Sequence, residues 1–533
     1  MQKKYNLALL FVILTQIVSA QNNYTRFESI DVKHYIFEIH LNDTTDYIQS
    51  KANILVRFIK PSKTLELDLA GINDSTNKGM TVKQVLFEEK PVNYSHKNNK
   101  LIINFNRDIK ANETINVGVI YSGIPSDGLI ISKNKYGDRT FFGDNWPDRA
   151  HFWLPTVDHP SDKATLEFLV FAPDHYKVIS NGRLENEINL GNGILFTQWR
   201  ENVPISTKLV VIGAAPFVVK NLGDYKNVPV SCWVFPQNVE EGIWDFSFGV
   251  RPLSYFCEII GPYSYEKLAH VQSKTKYGGM ENASCIFYAE DAIKGKLQIE
   301  SLIAHETAHQ WFGNSATEKN WHHIWLSEGF ATYLTHLYEE YYHGEQVFKD
   351  GMKTDRKRVI KFAEKKLAPI IDTTVTDYME LLDANSYQKA SWFLHMLRNK
   401  IEDEKFMQTL HDYYYTFKDS TALTSDFQRI AEKNSGQNLE EFFHQWLWES
   451  GFPVLKWKWR QNSNGKIKLN IKQVQKNYVF HFPLELELLS EDGKSRITTI
   501  NISERKTITI LESGQKVKDI QLDPNVKLLF DVK

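Results

Sequence analysis

Glu300-Ser-Leu-Ile-Ala-His-Glu-Thr-Ala-His-Gln-Trp-Phe312 contains no Gly or Pro and reads as a helix. A helix turns once per about 3.6 residues, so residues four apart share a face. His305 and His309 therefore aim two imidazoles at one point, where a zinc ion would accept both. Glu306 is offset around the helix, so it reaches a water at that point rather than the ion. Two ligands and a general base within one turn form the H-E-x-x-H pattern of zinc hydrolases. With 17 histidines in 533 residues the pattern alone decides little, and the downstream sequence matters more.

A catalytic zinc usually takes three protein ligands and keeps one position open. The third must come from a second element packed on the first. Glu328 follows His309 after 18 residues (310 to 327), within Trp325-Leu-Ser-Glu-Gly-Phe-Ala331. Glu328–Tyr342 reads as a helix able to fold back over the first. Among Trp325, Leu326 and Phe330 a carboxylate needs a partner, and a metal supplies one. His322 and His323 compete for the role, but they lie in the polar connection and are read as solvated.

Outward from this pair the chain divides into three. From Thr25 to Val219 the period is two, as in Tyr35–Leu41, Ala52–Phe58, Leu65–Leu69, Ile115–Ile120 and Thr165–Phe171. Within it, 142–150 and 154–160 are irregular and dense in aromatic, Pro and Asp residues, as recognition loops often are. From Leu222 to Gly451 the pattern is helical, over 251–260, 300–312, 328–342, 347–366, 387–400, 403–417, 425–434 and 439–450. Strands at Val228–Phe235 and Leu268–Gln272 precede the long helices. After Pro453 seven short strands return at regular spacing, as in a β-sandwich. The expected organisation is a leader at 1–20, a β domain at 21–219, an α-rich catalytic domain with a small sheet at 220–452 and a sandwich at 453–533. A chain of this length needs about two to four domains.

Lys3-Lys4, an apolar run from Leu7 to Val18 and the small residues Ser19-Ala20 read as a secretory signal, cleaved before Gln21. The run is shorter than the roughly 20 residues of a spanning helix, and no other segment is apolar enough. An exported protein, periplasmic or secreted, with no stable membrane insertion after cleavage is expected. A net charge of −2 gives nucleic acid no bulk attraction. Cys232, Cys257 and Cys285 include no C-x-x-C and read as buried thiols rather than staples. Asn23, Asn42, Asn112 and Asn282 head Asn-x-Ser/Thr sequons in a chain rich in Asn, so these do not argue for glycosylation.

Three motifs in order carry a resemblance. His305–Asn314 with Trp321–Tyr333, Gly278-Gly279-Met280-Glu281-Asn282, and Tyr387-Gln388-Lys389-Ala390 together resemble the zinc aminopeptidases of the aminopeptidase N family, which also includes the leukotriene-epoxide hydrolase. The similarity runs over nearly the whole mature chain and is strongest from 255 to 455. It implies a multi-domain α+β fold: a saddle-like β-rich N-terminal domain, a thermolysin-like catalytic domain and a C-terminal β-sandwich. It implies one Zn2+ on His305, His309 and Glu328, with Glu306 as base and Tyr387 as donor to the oxyanion. Glu281 would lie on an edge strand and bind the free ammonium of a peptide, with Gly278, Gly279, Met280 and Asn282 along the substrate. Ser327 and Ala390 depart mildly from the family and are expected to touch no ligand. The family's first domain often adds a Gln to the amine site. No equivalent stands out here, and Asp144 is the nearest polar candidate.

The expected function is removal of N-terminal residues from peptides with a free N-terminus. The epoxide-hydrolase alternative uses an Arg from a helical domain beyond the sandwich, which this sequence does not show. An inactive binding protein would be expected to lack His305, Glu306, His309, Glu328 or Tyr387, and all five are present.

Overall fold

Strand Ile30–His40 buries Ile30 and Val32, then Tyr35, Phe37 and Ile39. The alternation slips by one at a bulge between Val32 and His34, which keeps both sets inward. This strand is central to an eight-stranded sheet ordered Arg183–Gly191, Ile194–Ser206, Lys163–Pro173, Ile30–His40, Ile48–Phe58, Thr114–Ile124, Gly79–Phe87 and Lys90–Pro91. Neighbours run antiparallel except Ile30–His40 against Lys163–Pro173. Sheets of four and three strands complete this β-rich half, in which no α-helix precedes Val239 among the described residues. The structure is a computed structural model describing residues 26–476 and 478–533. The expected leader lies outside the described residues.

Strand Val218–Tyr225, which straddles the expected 219/220 division, pairs with Val228–Val234 in a five-stranded sheet. That sheet continues through Leu268–Ser273 and Cys285–Ala289 to the edge strand Gly279–Met280. Helices then follow much as the periodicity predicts. Val239–Asp245 forms a helix its pattern does not announce, because Gly242 interrupts it. A Cβ there would stand 2.5 Å from Val234 Cγ1, so close packing requires the glycine. The helix expected over 300–312 ends at Ala308. After Pro453 two sheets of four and three strands build the sandwich. Cys232, Cys257 and Cys285 are free thiols.

Helices and sandwich share one continuous core, and the β-rich half has its own. A third cluster joins them, with Phe142, Trp146 and Val211 from the first half and Met280, Phe287 and Trp321 from the second. Polar ties reinforce this seam. Lys163 donates to the carbonyls of Asn314 (2.9 Å) and Ser315 (2.7 Å), and to Thr317 Oγ1 (3.1 Å). Lys208 pairs with Glu318, both side chains wholly buried, beneath the Trp321 ring.

Removing one member of a buried pair leaves the other charge uncompensated, at about 3–5 kcal/mol. Lys208→Met is therefore expected to destabilise by that amount in denaturant unfolding, while Lys208→Met with Glu318→Leu recovers most of the loss. Equal destabilisation by the single and double variants would show that the pair contributes nothing as a pair.

Candidate active site

His305 leaves the last turn of helix Glu300–Ala308, and His309 caps it. Their Nε2 atoms stand 3.2 Å apart. Glu328 Oε2 lies 3.6 Å from the first and 3.2 Å from the second. All three ligand atoms fall within 4.8 Å of one another. The buried Glu328 Oε2 meets both rings at ion-pair distance without hydrogen-bond geometry. Three converging lone-pair donors with an unsatisfied oxygen among them fit a cation, and two imidazoles plus one carboxylate suit zinc. Burial alone pushes the Glu328 carboxyl up, but the two rings outweigh it and hold it well below the ordinary carboxylate range.

Each ligand is set by its surroundings. The Nδ1–H of His309 donates to the Phe312 carbonyl at 3.3 Å, with Ser327 Oγ at 3.0 Å. That bond fixes the tautomer and leaves Nε2 free for a metal. Ser327 therefore does touch a ligand, contrary to expectation. Room for it comes from Gly313, at φ 115°, where a Cβ would stand 2.2 Å from Ser327 Oγ. The same glycine turns the chain after His309 and accounts for the early helix end. Glu328 sits in the first turn of helix Trp325–His343, where the helix dipole favours a carboxylate. Beside it, a Cβ on Gly329 would lie 2.5 Å from Ala390 Cβ. This tight crossing carries Tyr387, one turn before Ala390, over the ligands. Tyr387 lies in a π-helical turn, Asn385–Lys389, with its ring parallel to His305 at 6.2 Å. Burial, with Glu328, Glu281 and Glu306 nearby, pushes its hydroxyl well above the ordinary phenol range, so it remains a donor at neutral pH.

Glu306 is buried against strand Gly279–Met280, and a Cβ on Gly279 would stand 2.3 Å from its Oε1. Burial pushes its carboxyl well above the ordinary range, helped by Glu281 and Glu328 and opposed by His309. A dication on the ligands reverses that balance. Glu281 follows the edge strand directly. Its carbonyl accepts from Gln310 Nε2 at 2.9 Å and Asn314 Nδ2 at 2.5 Å, while its carboxylate Oε1 is buried without a partner.

These groups wall a cavity of about 300 Å³. His305, Glu306, His309 and Glu328 line it with Tyr387, and Gly278, Gly279, Met280 and Glu281 form its strand side. Trp146, Tyr277, Leu302 and Leu382 complete it. Asn282 is not on that wall but fully buried. The short strand ends at Met280, so Asn282 does not continue the cavity-lining run, and its sequon is inaccessible. Asp144 is not there either. It is fully buried, accepting from Arg149 Nη2 at 2.5 Å and Lys276 N at 2.9 Å, which ties down the loop before Tyr277. His322 and His323 are not solvated. His322 bridges Asn320 Oδ1 and the Val375 carbonyl, and His323 bonds Thr424 Oγ1. Gln310, Asn314 and Trp146 are site residues that the sequence reading passes over. The first two stand just behind His309, so their position in the motif was a usable signal.

Comparison with known proteins agrees with this geometry. The family model described as "Peptidase M1 N-terminal domain" matches residues 31–209, and "Peptidase family M1 domain" matches residues 245–446. Glutamyl aminopeptidase of Bos taurus is 28% identical over 389 residues, 69% of this chain and 40% of the relative. Probable aminopeptidase 2 of Sulfurisphaera tokodaii is 28% identical over 410 residues, 70% of this chain and 49% of the relative. The chain thus spans less than half the length of these curated relatives. An M1 zinc metallopeptidase from Deinococcus radiodurans shares the fold, with a TM-score of 0.67 at 22% identity over 80% of this chain and 96% of that one. Since the two family models follow one another over the β-rich half and over the helical half holding His305, His309 and Glu328, the chain belongs to peptidase family M1.

Proposed function

We propose that the protein is a zinc-dependent aminopeptidase that hydrolyses the first peptide bond of peptides with a free N-terminus. The observation that carries this reading is Glu281. Its carboxylate is 5% exposed, has one oxygen without a partner, and lies on the wall of the cavity the metal ligands share. An α-ammonium is the cation such a carboxylate accepts, and anchoring it there measures off one residue to the scissile bond.

His305, His309 and Glu328 would hold the zinc, which when bound would supply Lewis acidity toward the carbonyl and toward water. Glu306 takes the proton of the attacking water and passes it to the leaving amine. Tyr387 donates its hydroxyl to the carbonyl oxygen as negative charge develops there. The backbone of Gly278 and Gly279, with no Cβ to intervene, lets the peptide approach the edge strand, and Met280 packs beneath it. We further infer export by the leader at 1–20. No helix among the described residues is long and apolar enough to cross a membrane.

Glu306→Gln and Tyr387→Phe are each expected to keep about one zinc per chain by elemental analysis and to lose about 10²–10⁴-fold in kcat. Turnover near wild type in either would remove that residue's role. Glu281→Gln should lower kcat/KM on free aminoacyl substrates by about 100-fold and leave N-acetylated ones as poor as before. Equal cleavage of free and acetylated substrates by the wild type would make the enzyme an endopeptidase and sink the anchor. N-terminal sequencing of exported protein should begin at Gln21, and a start at Met1 would refute the leader.

A further inference from the structure

With the ammonium on Glu281 and the scissile carbonyl at the ligands, the first side chain of a peptide must branch into what remains of the cavity. That remainder is walled chiefly by Trp146, Tyr277, Met280, Leu302 and Leu382. The indole of Trp146 is 2% exposed and meets Tyr277 at 6.2 Å and Trp321 at 5.8 Å, both edge-on. Its backbone is pinned by Arg149, whose Nε donates to the Trp146 carbonyl at 2.6 Å. Tyr277 is held in turn, its hydroxyl donating to Met379 Sδ at 3.3 Å. The wall is therefore mostly apolar and aromatic, with the Trp146 Nε1 buried without a hydrogen-bond partner.

Among the described residues, no Lys or Arg lines the cavity. The cations of the surrounding loops are engaged elsewhere. Lys276 Nζ sits on both oxygens of Asp127, at 2.9 and 3.0 Å, and Arg149 is shared by Asp127 and Asp144. An acidic first side chain would be stripped of water beside Glu281, Glu306 and Glu328 with no counter-charge. A cationic one would lose its water to an apolar wall while Glu281 is taken by the ammonium.

We propose that this cavity selects peptides whose N-terminal residue is uncharged and apolar or aromatic, and that Trp146, from the N-terminal β-rich half, sets that preference. The proposal rests on the aminopeptidase reading above. One observation ties it to this chain: among the described residues, the first half of the protein lines the cavity with Trp146 alone. Substrate choice then belongs to the seam between the two halves, while the chemistry belongs to the helical half alone.

Zinc-loaded protein assayed on Leu, Phe, Ala, Arg and Glu 4-nitroanilides tests this. Leu and Phe should exceed Glu in kcat/KM by at least about 100-fold and Arg by at least about 10-fold. Trp146→Ala should lower kcat/KM on Phe by about 10-fold, mainly through KM, and on Ala by less than about 3-fold. Leu382→Arg, at a half-buried loop position, places a cation in the same wall. It should raise the Glu-to-Leu ratio by at least about 10-fold, and it decides the matter even where Trp146→Ala does not fold. A Glu substrate within about 3-fold of Leu, or an equal loss on all five substrates in Trp146→Ala, overturns the proposal. If no aminoacyl substrate is cleaved while blocked peptides are, the aminopeptidase reading itself falls and this one with it.

Discussion

Three carboxylates share one small cavity. Glu281, Glu306 and Glu328 are each about 5% exposed or less, and among the described residues no Lys or Arg lines the space between them. Buried like charges so placed cannot all ionise unless cations join them. The two histidines cannot supply that charge, since a ring that binds a metal is neutral. A zinc dication and the proposed substrate ammonium would bring three positive charges to three negative ones. On the proposed reading the site would be balanced only with both present. The same balance returns Glu306 to a carboxylate, the form that accepts a proton from water.

Holding three repelling groups in place costs stability, and the surrounding backbone absorbs it. Glycines stand where a Cβ would collide with the machinery: Gly279 against Glu306, Gly313 against Ser327 and His309, and Gly329 against Ala390. The first brings the edge strand within reach of the Glu306 carboxylate, and the other two let neighbouring elements close on Ser327 and Ala390. The loop after His309 does further service. Gln310 and Asn314 both hold the Glu281 carbonyl, so the element carrying two metal ligands also positions the proposed amine anchor.

How much of this is legible in the sequence depends on how local each constraint is. His305, Glu306 and His309 follow from helical periodicity alone. Glu328 follows from an apolar setting and a spacing. Both are short-range facts, and the structure brings the three ligands together as that reading expects. Glu281 rests on a motif, since nothing near it in the chain announces a cavity. The helix over 300–312 overruns because Gly313 turns the chain through a positive φ, which periodicity cannot register. Asp144 and Trp146 show the limit most clearly. They lie two residues apart on one irregular loop, and polarity favours the acid as the site residue. Arg149 captures Asp144 five residues on, and the indole faces the cavity instead. Which side of a loop faces a site is decided by tertiary partners.

Those partners also explain why the β-rich half is needed for chemistry it does not perform. Lys163 and Lys208 reach across the seam to residues 314–318, the loop that follows the metal-binding helix. Asn314 in that loop donates to Glu281, and Asp144 holds the chain just ahead of Tyr277. Two ties from the first half thus grip the edge strand 279–280 near both its ends, while Trp146 packs against its side chains through the shared cluster. An edge strand has one unpaired side and little rigidity of its own. Clamped in this way it keeps that side open to the cavity, while the Glu281 carboxylate that follows it stays fixed relative to the metal ligands. On the proposed reading, the distance from Glu281 to the metal ligands would decide whether one residue or several are removed, and it is a property of the seam between the two halves.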